Sequence, residues 1–350
     1  MALNLLRIHN LRNIQRLELE PRSGINLLCG DNAAGKTTLL EAIYLLGRGR
    51  SFRGGRFSSI VREDCRSLEV FGLVDRGKVS ETRIGFCREN GQNAMKLSGE
   101  NVKRLSDIAK RFPLQLMTPR SHEILERGPD NRRRFIEWGV FHVEHEYFDC
   151  YKRYKRALAQ RNGALRTDPR NVRAWNGELI RSGELLNKFR LSYKRALERV
   201  FRQEAGEFLD DMDISIDWRP GWKRDKGFAD SLDESLESDI SRGHTQFGPH
   251  RADFLMKLGS FSAVEKISRG QQKMLIAALQ IAQARVAQDV GSITPTVLVD
   301  DLAAELDRKH RERFFNRLDA LKTQVFVTMI DSSNSANIEK VFHVEHGCIT

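Results

Sequence analysis

Eight consecutive residues, Gly30-Asp31-Asn32-Ala33-Ala34-Gly35-Lys36-Thr37, fit the pattern G-x-x-x-x-G-K-[ST] without a mismatch. Glycines at both ends let the backbone curl until successive N–H groups point at one anion, so the expected ligand is the phosphate chain of ATP. On this reading Gly30 to Gly35 form the cradle, Lys36 reaches the β- and γ-phosphates, the Thr37 hydroxyl ligates Mg²⁺, and Thr38 completes the set. A second stretch, Thr296-Val297-Leu298-Val299-Asp300-Asp301, is an apolar run ending in two carboxylates. Asp300 is expected to hold Mg²⁺ through water and Asp301 to orient an attacking water, which makes Lys36, Asp300 and Asp301 the candidate catalytic residues. A third stretch, Ser268-Arg269-Gly270-Gln271, opens a helical segment, and Ser268, Gly270 and Gln271 form either a further anion site or an ordinary helix cap.

These residues need particular elements to hold them. Leu3 to Ile8, Leu17 to Leu19 and Ile25 to Cys29 read as strands, and Thr38 to Leu46 as a helix ended by Gly47, giving the strand, loop and helix order that a phosphate loop requires. Residues 50 to 102 alternate apolar and polar between glycine-containing turns and suggest antiparallel strands. From Asn101 to about Asp213 the pattern is helical. Tyr147, Tyr151, Tyr154 and Leu158, and then Leu185, Leu186, Phe189 and Tyr193, recur at helical spacing on either side of Asp168-Pro169. Two antiparallel helices forming a short arm are expected, with the aromatic stripe packed between them. Asp225 to Ser241 reads as an exposed acidic linker. Beyond it Lys273 to Ala287 and Arg308 to Leu321 read as helices, and Thr296 to Val299 and Gln324 to Thr328 as strands. The two ends of the chain should therefore share one sheet.

With 58 Lys and Arg against 47 Asp and Glu the net charge is +11, which points to a polyanionic partner. The charge is concentrated: His145 to Val200 carries 14 basic and 6 acidic residues, whereas Phe201 to His250 carries 6 and 12. Candidate contacts to such a polyanion are Arg48, Arg50, Arg53 and Arg56 after the phosphate loop and Lys152, Arg153, Lys155 and Arg156 on the arm. Arg132 to Arg134 are expected in ion pairs instead. No apolar run reaches the roughly 18 residues of a membrane span, and Met1 to Arg12 does not resemble an export leader, so a cytoplasmic protein without a membrane partner is expected. Cys29, Cys65, Cys87, Cys150 and Cys348 are scattered and odd in number, as reduced thiols would be. Phe-His-Val-Glu-His occurs at Phe141 to His145 and again at Phe342 to His346, once in helical and once in strand context, and no metal site is expected from it.

A phosphate loop, a Ser-x-Gly-Gln turn, an Asp-Asp strand and Glu305-Leu306-Asp307 together resemble the ATP-binding cassette head. In such heads two molecules sandwich two ATPs, and the Ser-Gly-Gln turn of one completes the other's γ-phosphate site. The chain as a whole resembles the RecF family through Leu11-Arg12-Asn13-Ile14, Leu39 to Tyr44, Gly128-Pro129 with Arg132-Arg133, Phe135 to Trp138, and Gly248-Pro249-His250-Arg251-Ala252-Asp253. The resemblance implies an α/β fold, a P-loop ATPase head of the ABC/SMC type. Its lobe I, a mixed sheet with helices, would cover 1–118 and 244–350, and an inserted mainly helical lobe II with the arm would cover 119–243. It also implies an ATP-dependent homodimer that binds double-stranded DNA and gap junctions and acts with RecR and RecO to load RecA in DNA repair and replication. Asp301, one methylene shorter than the Glu of many cassette proteins, suggests weak ATP hydrolysis that reopens a DNA clamp. Gln115 is the candidate for a glutamine that senses Mg²⁺. Two other readings are a chromosome-structuring SMC-like head and the ATPase subunit of a membrane transporter.

Overall fold

Apolar residues alternating along Ala2–Leu11 bury Leu3, Leu6, Ile8 and Leu11 on one face, and the computed structural model folds this stretch as strand β1, with a bulge between Leu3 and Leu5. Described are residues 2–54, 57–75, 81–209, 212–331 and 337–350. The chain divides into two compact units, Met1–Ser121 with Ile293–Thr350, and His122–Ser292. Among the described residues no helix is long and apolar enough to cross a membrane.

In the first unit β1 is followed by β2 (Ile14–Leu19) and by β3 (Ile25–Cys29), in which every residue is buried. The phosphate-loop sequence then leads into α1 (Lys36–Arg48). The helix stops one glycine later than expected. Gly49 is the left-handed cap, with φ 61° and its N–H on the Leu45 carbonyl, whereas Gly47 lies inside the helix. A Cβ on Gly47 would stand 2.4 Å from Leu114 Cδ1, so this glycine is needed for close packing. Strands β4 (Ser67–Asp75), β5 (Glu81–Glu89), β6 (Gln92–Leu97) and β7 (Glu100–Asn101) complete an antiparallel sheet of order β2-β1-β4-β5-β6-β7. Helix α2 (Leu105–Arg111) and strand β8 (Leu114–Met117) follow. Strand β8 interrupts the stretch expected to be helical, because four residues, three of them apolar, carry no decisive period and the strand's partner is distant in sequence.

The second unit opens with α3 (Glu123–Glu126), α4 (Pro129–Val143), α5 (Tyr147–Thr167) and α6 (Asn176–Phe208), the last two joined by a 3-10 turn at Pro169–Trp175. Tyr147, Tyr154, Leu158, Leu186, Tyr193 and Leu197 are buried, so the aromatic stripe is core. After β9 (Ile214–Arg219) the expected linker is instead two helices, α7 (Phe228–Glu234) and α8 (Leu236–Arg242). Phe228 and Leu232 anchor them, and buried Asp239 accepts from fully buried Arg161 at 2.7 Å, a pairing invisible to local composition. Strands β10 (Asp253–Leu258) and β11 (Phe261–Ser262) form a small sheet in the order β11-β10-β9, followed by α9 (Ala263–Lys266) and α10 (Arg269–Asp289). Helix α10 packs on α6 and α4. For that reason residues 244 to 292, expected in lobe I, belong to the helical unit, and the return crossing comes after Ser292.

The chain re-enters the first unit with β12 (Thr296–Val299), α11 (Arg308–Asp319), β13 (Val325–Met329), β14 (Ile338–Glu345) and β15 (Cys348–Ile349). The second sheet runs β15-β14-β3-β13-β12-β8, with every pair parallel except β14–β15. The two ends of the chain share this sheet. Because the inner strands are parallel, the loops after β3 and β12 leave from the same edge, where ligands of α/β sheets bind.

Candidate nucleotide site

The phosphate loop takes its shape from residues in left-handed or glycine-only conformations: Gly30 (φ 154°), Ala33 (φ 65°) and Gly35 (φ 119°). A Cβ on Gly30 would come within 2.1 Å of the Val344 carbonyl, so only glycine fits there. Lys36 is 5% exposed and its Nζ donates to the Gly30 and Asp31 carbonyls at 2.7 and 2.8 Å. The ammonium thus already sits on the loop it would share with phosphate. Asn13 braces the loop from the β1–β2 turn: its Nδ2 donates to the Ala34 carbonyl at 3.3 Å and its Oδ1 accepts from Thr38 Oγ1 at 3.1 Å. The Gly347 N–H donates to the same Ala34 carbonyl at 2.8 Å, tying the β14–β15 hairpin to the loop. A cavity of about 420 Å³ beside the loop is lined by Asn32, Ala33, His343, Glu345 and His346. The second Phe-His-Val-Glu-His copy therefore lies on a strand and turn, whereas the first closes α4.

Register brings the acidic pair to the same place. Thr37 Oγ1 donates to Asp300 Oδ1 at 2.9 Å, although 263 residues separate them. Asp300 is 8% exposed. Burial first, and then the charge of Asp301, push the Asp300 carboxyl above its ordinary range, while hydrogen bonds from Thr37 and Thr328 and the charge of Arg53 pull it back. Asp301 has φ 51°, a sparsely populated conformation for a non-glycine residue, and its N–H donates to Thr328 Oγ1 at 2.8 Å. The Thr328 hydroxyl lies 3.0 Å from Asp301 Oδ1 and 3.3 Å from Asp300 Oδ1, so one buried threonine on β13 orients both acids. Sequence reading missed Thr328; its signal is a hydroxyl within an otherwise apolar strand. Gln115 is buried on β8, in register with Val297 of β12.

Arg53, expected among DNA contacts, has its charge felt at Asp300. A buried network sets the course of its segment. Glu41 on α1 is fully buried and accepts from Arg12 Nε and, at 2.8 Å, from Arg12 Nη2; it also accepts from the Ser51 hydroxyl, which in turn accepts the Arg53 N–H at 3.1 Å. Arg48 is not a surface cation either: Nη2 donates to the Leu114 carbonyl at 3.0 Å, and burial lowers its pKa. Arg50 is exposed, and Arg56 lies outside the described residues.

Ser268, Gly270 and Gln271 belong to the helical unit, not to the unit that carries Gly30–Thr37 and Asp300. Ser268 is the N-cap of α10 in a reciprocal capping box: its hydroxyl accepts the Gln271 N–H at 3.3 Å, and the Ser268 N–H donates to Gln271 Oε1 at 2.9 Å. Ser268 and Gly270 are nevertheless exposed. Asp307 is the N-cap of α11, its side chain accepting the His310 N–H at 3.0 Å. In this unit Arg132 is nearly buried, with Nε 2.7 Å from Asp253 Oδ1 and Nη1 2.7 Å from the Arg127 carbonyl, and Arg133 donates to the Ala252 carbonyl at 2.7 Å, the internal roles expected of them. Arg134 differs: it is exposed. Lys152, Arg153, Lys155 and Arg156 are exposed on α5 around buried Tyr154.

Residues 2–350 match the family model described as RecF/RecN/SMC N terminal domain. A "DNA replication and repair protein RecF" of Stutzerimonas stutzeri (strain A1501) is 39% identical over all of this chain and 97% of its own length. The solved structure of "the recombination mediator protein RecF-ATP in RecFOR pathway" superposes with a TM-score of 0.87 at 26% identity, covering 99% of this chain and 96% of that one. An Smc head bound to the C-winged helix domain of ScpA superposes at 0.65 over 100% of this chain and 97% of that one; at 15% identity this is a likeness of fold alone.

Proposed function

This chain belongs to the RecF family, with the fold of the ABC/SMC-type ATPase head, and from that premise we propose that it is an ATP-dependent DNA-binding protein of recombinational repair and replication. The observation that carries the reading is the 2.9 Å contact of Thr37 with Asp300, which joins the end of the phosphate cradle to a buried acidic pair. Gly30 to Gly35, Lys36, Thr37 and Thr38 hold the triphosphate. The donor set fits Mg²⁺: a hydroxyl and a carboxylate are hard oxygen ligands, and Asp300 is buried beside a second acid. Thr37 and Asp300 would hold the ion, which would neutralise charge between the phosphates. Asp301, oriented by Thr328, positions water for slow hydrolysis.

Ser268, Gly270 and Gln271 of a second copy complete the γ-phosphate site, so ATP latches two heads into a clamp on double-stranded DNA. RecF is named in RecFOR terms in the superposed structure, and the partners we assign to this chain are RecR and RecO, with RecA loading at single-strand gaps as the outcome. The work is done in the cytoplasm. Phosphate contacts should make duplex binding steeply salt-dependent and indifferent to sequence. A gel shift with duplex DNA, with and without ATP, is the first test. Sedimentation of Lys36→Met and Ser268→Arg proteins with ATP is the second, and dimers at parental level from both would refute the sandwich.

A further inference from the structure

A cavity of about 270 Å³ in the helical unit collects charge from four separate segments: Arg133, Arg134 and Glu137 on α4, Lys155 on α5, Arg190 on α6, and His250 in the 3-10 turn Pro249–Arg251. Its two carboxylates are already committed. Asp130 is paired with Arg133, and Glu137 accepts from Arg190 Nη2 at 2.8 Å. Arg134 and Lys155, both exposed, have no carboxylate partner among the described residues. Beside the Arg190–Glu137 pair the floor is polar and uncharged: Tyr154, 1% exposed, shares a 2.6 Å hydrogen bond with His250 Nδ1. The imidazole registers the field. Burial lowers the His250 pKa to about 4, and the charges of Arg251, Lys155 and Arg133 all push the same way, against a hydrogen bond with the Thr245 carbonyl.

We propose that this cavity takes one phosphate of the duplex DNA backbone, with Lys155 and Arg134 closing over it from α5 and α4. The proposal rests on the duplex-binding reading above. Three observations select this ligand. The cavity, about 270 Å³, lies below the usual range of roughly 300–1,000 Å³ for drug-sized ligand sites and has room for a phosphate ester. Its unpaired charge is cationic and is carried on forked and flexible donors that match phosphate oxygens. The positive surface continues along α5 through exposed Arg156, as a polyanion needs and a small anion does not.

The test is fluorescence anisotropy of a labelled mixed-sequence duplex against the full chain with ATP, in a salt series. The proteins are the parent, Arg134→Gln, Lys155→Gln, their double variant, and a charge-matched control in the first unit, Arg83→Gln with Lys103→Gln, both exposed. Because one phosphate is shared by both cations, either single variant still neutralises it and should stay near the parental log–log salt slope, whereas the double variant should lower the slope by about one, with the control at the parental slope. A fall of about two in the double variant would mean two independent surface contacts and would overturn the cavity. Parental slopes in all variants would overturn it too, while leaving duplex binding intact. A parent that does not bind duplex would overturn both readings. Thermal melts with inorganic phosphate at matched ionic strength separate the sources: phosphate stabilising the parent and not the double variant, with unchanged duplex slopes, would assign the cavity to free phosphate and overturn the backbone assignment.

Discussion

Thr37 and Asp300 meet at 2.9 Å because β3 and β12 flank β13 in one parallel sheet and end at the same edge. The contact places a buried carboxylate next to a second acid, and its raised pKa has a definite consequence. A carboxyl raised in the folded state favours folding below its ordinary range near 3.9 and loses that contribution as pH rises through the folded value. At neutral pH the ionised Asp300 therefore costs stability. Asp300→Asn should melt at or above the parental temperature without nucleotide, yet lose the extra stabilisation that ATP with Mg²⁺ gives the parent; calorimetry with and without ligand reads both.

Capping and partner contact separate at Ser268. Ser268→Ala removes the hydroxyl that accepts the Gln271 N–H and should cost about 1 kcal/mol in urea denaturation. Ser268→Asp keeps the cap, since aspartate accepts the same bond, and should leave stability within about 0.5 kcal/mol of the parent. It nevertheless sets a negative charge where a γ-phosphate is to be bound, and ATP-dependent dimers should be lost in sedimentation.

The Arg12–Glu41 pair should show strong coupling. Arg12→Met leaves Glu41 buried without its cation and should cost about 3 kcal/mol. Glu41→Leu strands Arg12 and releases Ser51, at a similar cost. The double variant should lose clearly less than the two costs combined, because the residues share one interaction; three urea melts close the cycle.

His250 supplies a pH signature. Its folded pKa of about 4 lies below the ordinary 6.5, so the neutral ring is the folded form, and stability present above 6.5 is lost as pH falls towards 4. A shift of this size is worth about 3 kcal/mol. Denaturation midpoints at pH 7, 5.5 and 4.5 should fall more steeply for the parent than for His250→Asn, whose profile lacks this titration.

The chemistry of the first unit was legible because it is written in short contiguous strings. Gly30 to Thr37 carries its own backbone geometry in its glycines, and Asp300 follows a run of apolar residues that can only be a buried strand. Thr328 was hidden, since its role depends on which strand lies beside β12, and strand order is not local information. The acidic stretch around Asp230 to Asp239 misled for a related reason. Composition counts charges, whereas burial of Asp239 depends on Arg161 on another helix. The place of α10 was hidden in the same way: it is buried on nearly all sides, and the surfaces it covers, α6 and α4, come from elements distant in sequence.

Strand β3, which delivers the phosphate loop, is hydrogen-bonded on one side to β13 and on the other to β14, both near the end of the chain. During translation β3 emerges about 300 residues before β13, the strand it pairs with. A chain cut short before Val325 has no sheet in which to seat β3, and it also lacks Gly347, whose N–H fastens the loop at Ala34. The phosphate loop thus depends for its seat on strands that lie about 300 residues further along the chain than the loop's own sequence.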